Sequence, residues 1–162
     1  MATSEFLRRI QSPWRMGLFL FLKLPSAWFM GIRVRSCDGA KAVVALPYTW
    51  RSQNPFRSIY FAAQCAAGEL STGLLAMAVL QELPPVSMLV THVEASFLKK
   101  ASQTLLFTCE DGPAMARLIR ECIDSGESRA FRAQSVGRLP DGTEAVRVWI
   151  TWSFKAKNKS TN

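Results

Sequence analysis

Several things are scarce in this sequence. Cysteine occurs four times, at Cys37, Cys65, Cys109 and Cys122, never as a C-x-x-C pair. That excludes a zinc ligand set and a dense disulfide framework, and a reducing cytoplasm is the expected location. Histidine occurs once, at His92. There is no internal repeat, and no low-complexity stretch apart from a short polar end. Basic residues outnumber acidic ones, 20 to 12, for a net charge of +8. They are scattered, with short pairs only at Arg8/Arg9 and Lys99/Lys100, and no RNA- or DNA-binding motif accompanies them, so nucleic acid is not an expected partner. The charge fits either a solvated basic surface or a local patch for a phosphate-bearing ligand. What is present is a chain of 162 residues, 49% of them apolar. A chain of that size buries roughly 68–70% of its unfolded surface around one core.

Two apolar segments need separating from membrane spans. Met16 to Leu22 is a short run, preceded by Arg8, Arg9 and Arg15 and ended by Lys23 and Pro25. It imitates a signal peptide but lacks a clear small-residue cleavage site. It reads as an N-terminal amphipathic helix packed on the domain, with contact to a membrane surface as the lesser alternative. The second segment, Ser58 to Gln81, contains one charged residue, Glu69, among small ones: Ala62, Ala63, Ala66, Ala67, Gly68, Ser71, Thr72, Gly73 and Ala76. By length it could span a bilayer or form the central helix of a soluble core. A carboxylate at mid-span would cost about 2.5–3.5 kcal/mol on insertion scales, which favours the core helix and no stable membrane span.

The flanking segments read as strands. Ile32, Val34 and Ser36 alternate with Arg33 and Arg35, then Lys41 to Leu46 follows a Cys37-Asp38-Gly39 turn, which predicts a hairpin. Leu89, Thr91, Val93, Ala95 and Phe97 alternate with Met88, Val90, His92, Glu94 and Ser96, with Thr104 to Glu110 as the expected partner strand. Pro113 to Ser125 has the spacing of a surface helix stopped by Gly126. Ser128 to Leu139, a Pro140-Asp141-Gly142 turn, and Val146, Val148, Ile150, Trp152 and Phe154 on one face give a last hairpin. The expected class is α+β: an antiparallel sheet of about six strands wrapped around a long central helix buried on all sides, with an extra N-terminal helix. The expected boundaries are an N-terminal helical segment at 1–30, the sheet domain at 31–156, and a frayed polar tail at 157–162.

This order of elements resembles the hotdog fold. Asn54, followed fifteen positions later by Glu69 on the central helix, is similar to hotdog acyl-CoA thioesterases of the phenylacetyl-CoA type. Trp28-Phe29-Met30-Gly31-Ile32-Arg33-Val34 also resembles the start of the first strand in a thioesterase-like subfamily of that fold. Where those enzymes carry a His-Gly-Gly turn at the helix start, this chain has Tyr60-Phe61-Ala62. The resemblance implies an acyl-CoA or acyl-carrier thioester as substrate, coenzyme A only as part of that substrate with no separate cofactor or metal, and a homodimer or dimer of dimers. His92, on a strand away from the helix start, does not fit the acid–base pair of the hotdog dehydratases.

Thioester hydrolysis needs a nucleophile or a base for water, and donors at the developing oxyanion. Glu69 is the candidate base or nucleophile, and burial would raise its pKa. The Phe61 N–H at the helix start is the candidate oxyanion donor, and Asn54 the candidate carbonyl or water ligand. Asn54 before Pro55 fits a turn or cap role equally well. Tyr60, Ala62, Cys65, Thr72 and Thr91 are candidates for the substrate site, Thr72 and Thr91 as supports for Glu69. Cys65 lacks a nearby His to activate it. Phe61 and Glu69 lie eight residues apart, about 12 Å along a helix, so one helix cannot bring both to one carbonyl carbon. A second copy would have to complete the site. The competing reading is a hotdog protein that binds an acyl chain or lipid without turnover.

Overall fold

The computed structural model describes residues 5–10 and 12–157. Three short helices, α1 (Glu5–Ile10), α2 (Pro13–Lys23) and α3 (Pro25–Phe29), lead into β1 (Arg33–Cys37) and β2 (Ala42–Leu46). The central helix α4 (Phe61–Leu80) is followed by β3 (Val86–Phe97), β4 (Leu105–Cys109), α5 (Gly112–Ser125), β5 (Arg129–Arg138) and β6 (Glu144–Ala156). The strands form one sheet in the order β1-β2-β4-β5-β6-β3, with every neighbouring pair antiparallel. This is the expected architecture, with the N-terminal helix divided in three. Pro13 and Pro25 explain the divisions, since each stands at the start of a new helix, where its missing N–H removes no intrahelical bond. Of the tail expected at 157–162, Lys157 donates its N–H to Pro85 O at 2.9 Å, and 158–162 lie outside the described residues.

Strand pairing corrects one expectation. β4 does not pair with β3; it lies between β2 and β5, and β3 pairs along its whole length with β6. Length decides this, because the twelve residues of β3 find a ladder only against the thirteen of β6. The predicted face of β3 also changes halfway. A bulge between Val90 and His92 leaves Thr91 unpaired, so Met88 and Val90 stand opposite the buried Phe154 and Trp152, whereas Val93, Ala95 and Phe97 stand opposite the buried Ile150, Val148 and Val146. Simple alternation through the bulge would have put Leu89 on the inner face. Leu89 pairs with Ser153 instead and is 65% exposed.

α4 packs along its length against β2, β4, β5 and β6. Gly68 permits this approach: a Cβ there would stand 2.8 Å from Val148 Cβ. Leu74, Leu75 and Ala76 are fully buried. Polar groups on the same side are satisfied, Ser71 donating to Gly68 O and meeting the Ser135 hydroxyl at 2.7 Å, and Thr72 accepting the Trp152 indole N–H at 2.9 Å. α4 is the one described helix long and apolar enough to cross a membrane, but 67% of its apolar window is buried inside the protein, as in the core helix of a sheet-wrapped domain. Burial on all sides is not reached. Ala62, Cys65, Ala66, Glu69 and Met77 remain half-buried and Phe61 exposed, because β3 touches α4 only lightly.

Candidate active site

The stretch before α4 is a tight loop built on Asn54. Its Oδ1 accepts hydrogen bonds from Phe56 N–H (3.0 Å), Ser58 N–H (3.2 Å) and the Ser58 hydroxyl (3.2 Å). Asn54 N–H donates to Ser58 O at 2.8 Å, and Arg57 takes up a left-handed backbone, φ 57°. The turn role foreseen for Asn54 is therefore occupied by its oxygen. Because three donors fix Oδ1, the Nδ2 amine points the other way, with no acceptor among the described residues.

Ile59 and Tyr60 then anchor the helix start, through Ile59 N–H to Ala101 O and Tyr60 N–H to Ser52 O, both at 2.8 Å. Phe61 is the first helical residue, and among the described residues neither its N–H nor that of Ala62 has an acceptor. Asn54, Tyr60 and Phe61 line one cavity of about 530 Å³, together with Gln64, Phe97, Lys99 and Lys100. Tyr60 and Phe61 meet edge to face at 4.8 Å, and Phe61 meets Phe97 at 6.4 Å. These rings stand at the helix start, so the approach to Phe61 N–H passes along aromatic edges.

Gln64 was not among the residues singled out from the sequence. Its Nε2 donates to Ile59 O at 2.9 Å, while its Oε1 is buried without a partner. A signal was available, since Gln64 is the only amide side chain in an otherwise small and apolar helix.

Glu69 lies elsewhere. It borders a second cavity, of about 260 Å³, with Phe19, Lys23, Leu24, Gly73, Met77, Met88 and Trp152. Its carboxylate has no hydrogen bond or ion pair among the described residues, and burial raises its pKa above the ordinary glutamate value. The two halves of the expected constellation thus lie in separate cavities of one chain, as the 12 Å of helix between them requires.

The expected supports of Glu69 are engaged otherwise. The Thr72 hydroxyl donates to the Glu69 backbone carbonyl at 2.9 Å and accepts from Trp152, so it serves the helix and the sheet, not the carboxylate. Thr91 is the bulge residue, exposed, its hydroxyl donating to Thr151 O at 3.2 Å. Within one chain, Thr91 does not support Glu69. Ala62 and Cys65 lie on the half-open side of α4, and burial pushes the Cys65 thiol pKa up, away from thiolate chemistry. Arg129, Arg132 and Arg138 are spoken for by Glu127, Glu94 and Glu144.

Residues 13–154 match the family described as a domain of unknown function, DUF4442, and the chain belongs to that family. No curated protein sequence matches it. Among solved structures, a protein of unknown function from Chlorobaculum tepidum superposes with a TM-score of 0.74 at 14% identity, covering 90% of this chain and 98% of that one. A thioesterase from Haemophilus influenzae gives 0.67 at 12%, covering 93% and 95%. The PaaI protein of the E. coli phenylacetic acid degradation operon gives 0.63 at 12%, covering 95% and 97%. The fold is the hotdog fold.

Proposed function

We propose that the chain hydrolyses an acyl-CoA or acyl-carrier thioester at a site completed by a second copy. The observation that carries this reading is the division of the polar groups. One end of α4 offers unpaired donors, Asn54 Nδ2 and Phe61 N–H, beside an open cavity, while the middle of α4 offers an unpaired carboxylate with a raised pKa. Each half is incomplete for acyl transfer, and an antiparallel partner helix would set Glu69 of one copy against the donors of the other.

The edge of the sheet supports such pairing. β3 ends the sheet with twelve residues whose outer ladder is unused, and it exposes Leu89, Val93 and Phe97. A long apolar edge of this kind is a template for another strand. In the proposed site, Glu69 accepts a proton from water or attacks the carbonyl carbon directly. Asn54 and Phe61 N–H hold the oxygen on which negative charge develops. As the carbonyl re-forms, the C–S bond breaks and the proton taken up by Glu69 passes to the leaving sulfur. Where Glu69 attacks directly, the thiolate leaves, and water then hydrolyses the acyl–Glu69 anhydride to restore the carboxylate. Lys99 and Lys100, at the rim of the larger cavity, suit the phosphates of the coenzyme A end. The sequence resemblance and the thioesterases among the structural relatives favour the same reaction class.

The test is turnover of short, aromatic and long acyl-CoAs by the wild-type chain, Glu69→Gln and Asn54→Ala, with the mass in solution measured for each. Turnover by a dimer that disappears in Glu69→Gln without loss of the dimer supports the proposal. Binding of long acyl-CoA without turnover would instead favour the carrier reading, for which the aromatic side chains in place of His-Gly-Gly already speak. A strictly monomeric protein would remove the composite site.

A further inference from the structure

A second surface is carried by α2, the helix whose Phe19 and Lys23 also border the Glu69 cavity. α2 buries Met16 and Leu20, yet its opposite face carries Trp14, Leu18, Phe21 and Leu22 at 68%, 49%, 50% and 63% exposure. An ordinary surface helix presents polar groups to solvent there. The apolar area continues beyond the helix through ring contacts: Phe21 meets Trp28 at 5.0 Å, and the neighbouring Phe29 meets Trp50, itself 72% exposed, at 5.9 Å. A contiguous exposed aromatic patch of this kind marks an interaction surface.

The net charge of this part of the chain is strongly positive. Residues 1–68 contain nine of the 20 basic residues and two of the 12 acidic ones, so they carry seven of the eight net positive charges. Between Phe6 and Cys37 there is no acidic residue at all. Beside the patch, a cleft of about 430 Å³ between α2 and β1 is bordered by Trp28, Arg33, Arg35 and Arg51. None of these three arginines has an acidic partner among the described residues, in contrast to Arg129, Arg132, Arg138 and Arg147.

We infer that this face docks on the surface of an anionic phospholipid bilayer, with the outer side of α2 and the adjoining rings in the headgroup–acyl boundary and the arginine cleft against lipid phosphates. Tryptophan and phenylalanine beside unpaired basic groups are the composition of an interfacial helix. Anionic headgroups complement the three cleft arginines, which have no acidic partner among the described residues. A protein partner would have to bring both an apolar groove and a dense acidic rim. The surface stands apart from the hydrolytic reading and survives its failure.

The experiment is vesicle flotation of the full chain with phosphatidylcholine alone and with about one-third phosphatidylglycerol, with tryptophan emission recorded in parallel. Binding to the anionic vesicles, a blue-shifted emission, and release at about 500 mM salt are expected. The variant Trp14→Gln/Leu18→Gln/Phe21→Gln/Leu22→Gln should weaken partitioning at least about tenfold. The variant Arg33→Gln/Arg35→Gln/Arg51→Gln tests the cleft independently and should remove most of the preference for anionic lipid, should the first variant fail to fold. Absence of flotation at low salt, flotation unchanged in both variants, or binding to duplex DNA but not to vesicles would each overturn the inference. So would a wild-type mass in solution that falls in the α2 variant without any vesicle binding, which would assign the face to a contact between copies.

Discussion

The two sides of α4 obey different rules. On the side against the sheet, the hydroxyls of Ser71 and Thr72 are fully used: Ser71 bonds to Gly68 O and Ser135, and Thr72 joins the Glu69 carbonyl to the Trp152 indole. On the half-open side, the carboxylate of Glu69 has no partner, and burial holds its pKa up. A buried polar group that is satisfied stabilises a fold; one left unpaired is a liability that a site can justify. The same helix therefore separates groups that hold the protein together from groups available for chemistry, and mutation should separate them in the same way.

The largest expected effect is on the open side. Under the proposed reaction, Glu69→Gln keeps the size of the side chain and removes the base, so kcat should fall by about 10²–10⁴-fold while the melting temperature is maintained or rises. Equal losses in activity and stability would erase the distinction. On the sheet side, Thr72→Val leaves the buried Trp152 N–H without an acceptor and should cost about 1–3 kcal/mol in urea unfolding, with kcat per folded molecule unchanged. A drop in kcat there would move Thr72 into the site after all. Ser71→Ala is milder, about 1 kcal/mol, because Ser135 loses one partner while the Gly68 carbonyl stays within its helix.

Much of this was legible in the sequence, and the exceptions are physical. The long helix, the final hairpin and the separation of Phe61 from Glu69 follow from spacing alone, since helical rise and strand alternation are local properties. The pairing of β3 with β6 was not legible, because it joins segments about sixty residues apart through a ladder that no local pattern records. Nor was the bulge at Thr91, where one extra residue exchanges the two faces of the strand and brings Met88 to the cavity of Glu69. The sequence could nominate Asn54 for a site or a turn. Only the three bonds to its Oδ1 show that one end of the amide builds the turn while the other stays free. On α2, periodicity showed an amphipathic helix, but not that its apolar residues occupy both the buried and the exposed sides.

The smallest effect sharpens the comparison most, because it reads Glu69 without any substrate. Burial disfavours the charged carboxylate, so the folded state binds this proton more tightly than the unfolded chain does. Stability contributed at this position is therefore greatest at low pH, where the group is protonated in both states. It falls as pH rises through the unfolded value and levels off above the folded one. Glu69→Gln imitates the protonated form at every pH. The variant should match wild type near pH 4 or below and exceed it at neutral pH, with the gap opening between the ordinary glutamate range and the raised folded value. Thermal melts across that range measure it. If the gap has the opposite sign, with wild type the more stable at pH 7, then Glu69 is held ionised by a partner, and it is as fully satisfied as Ser71 and Thr72 are on the side that faces the sheet.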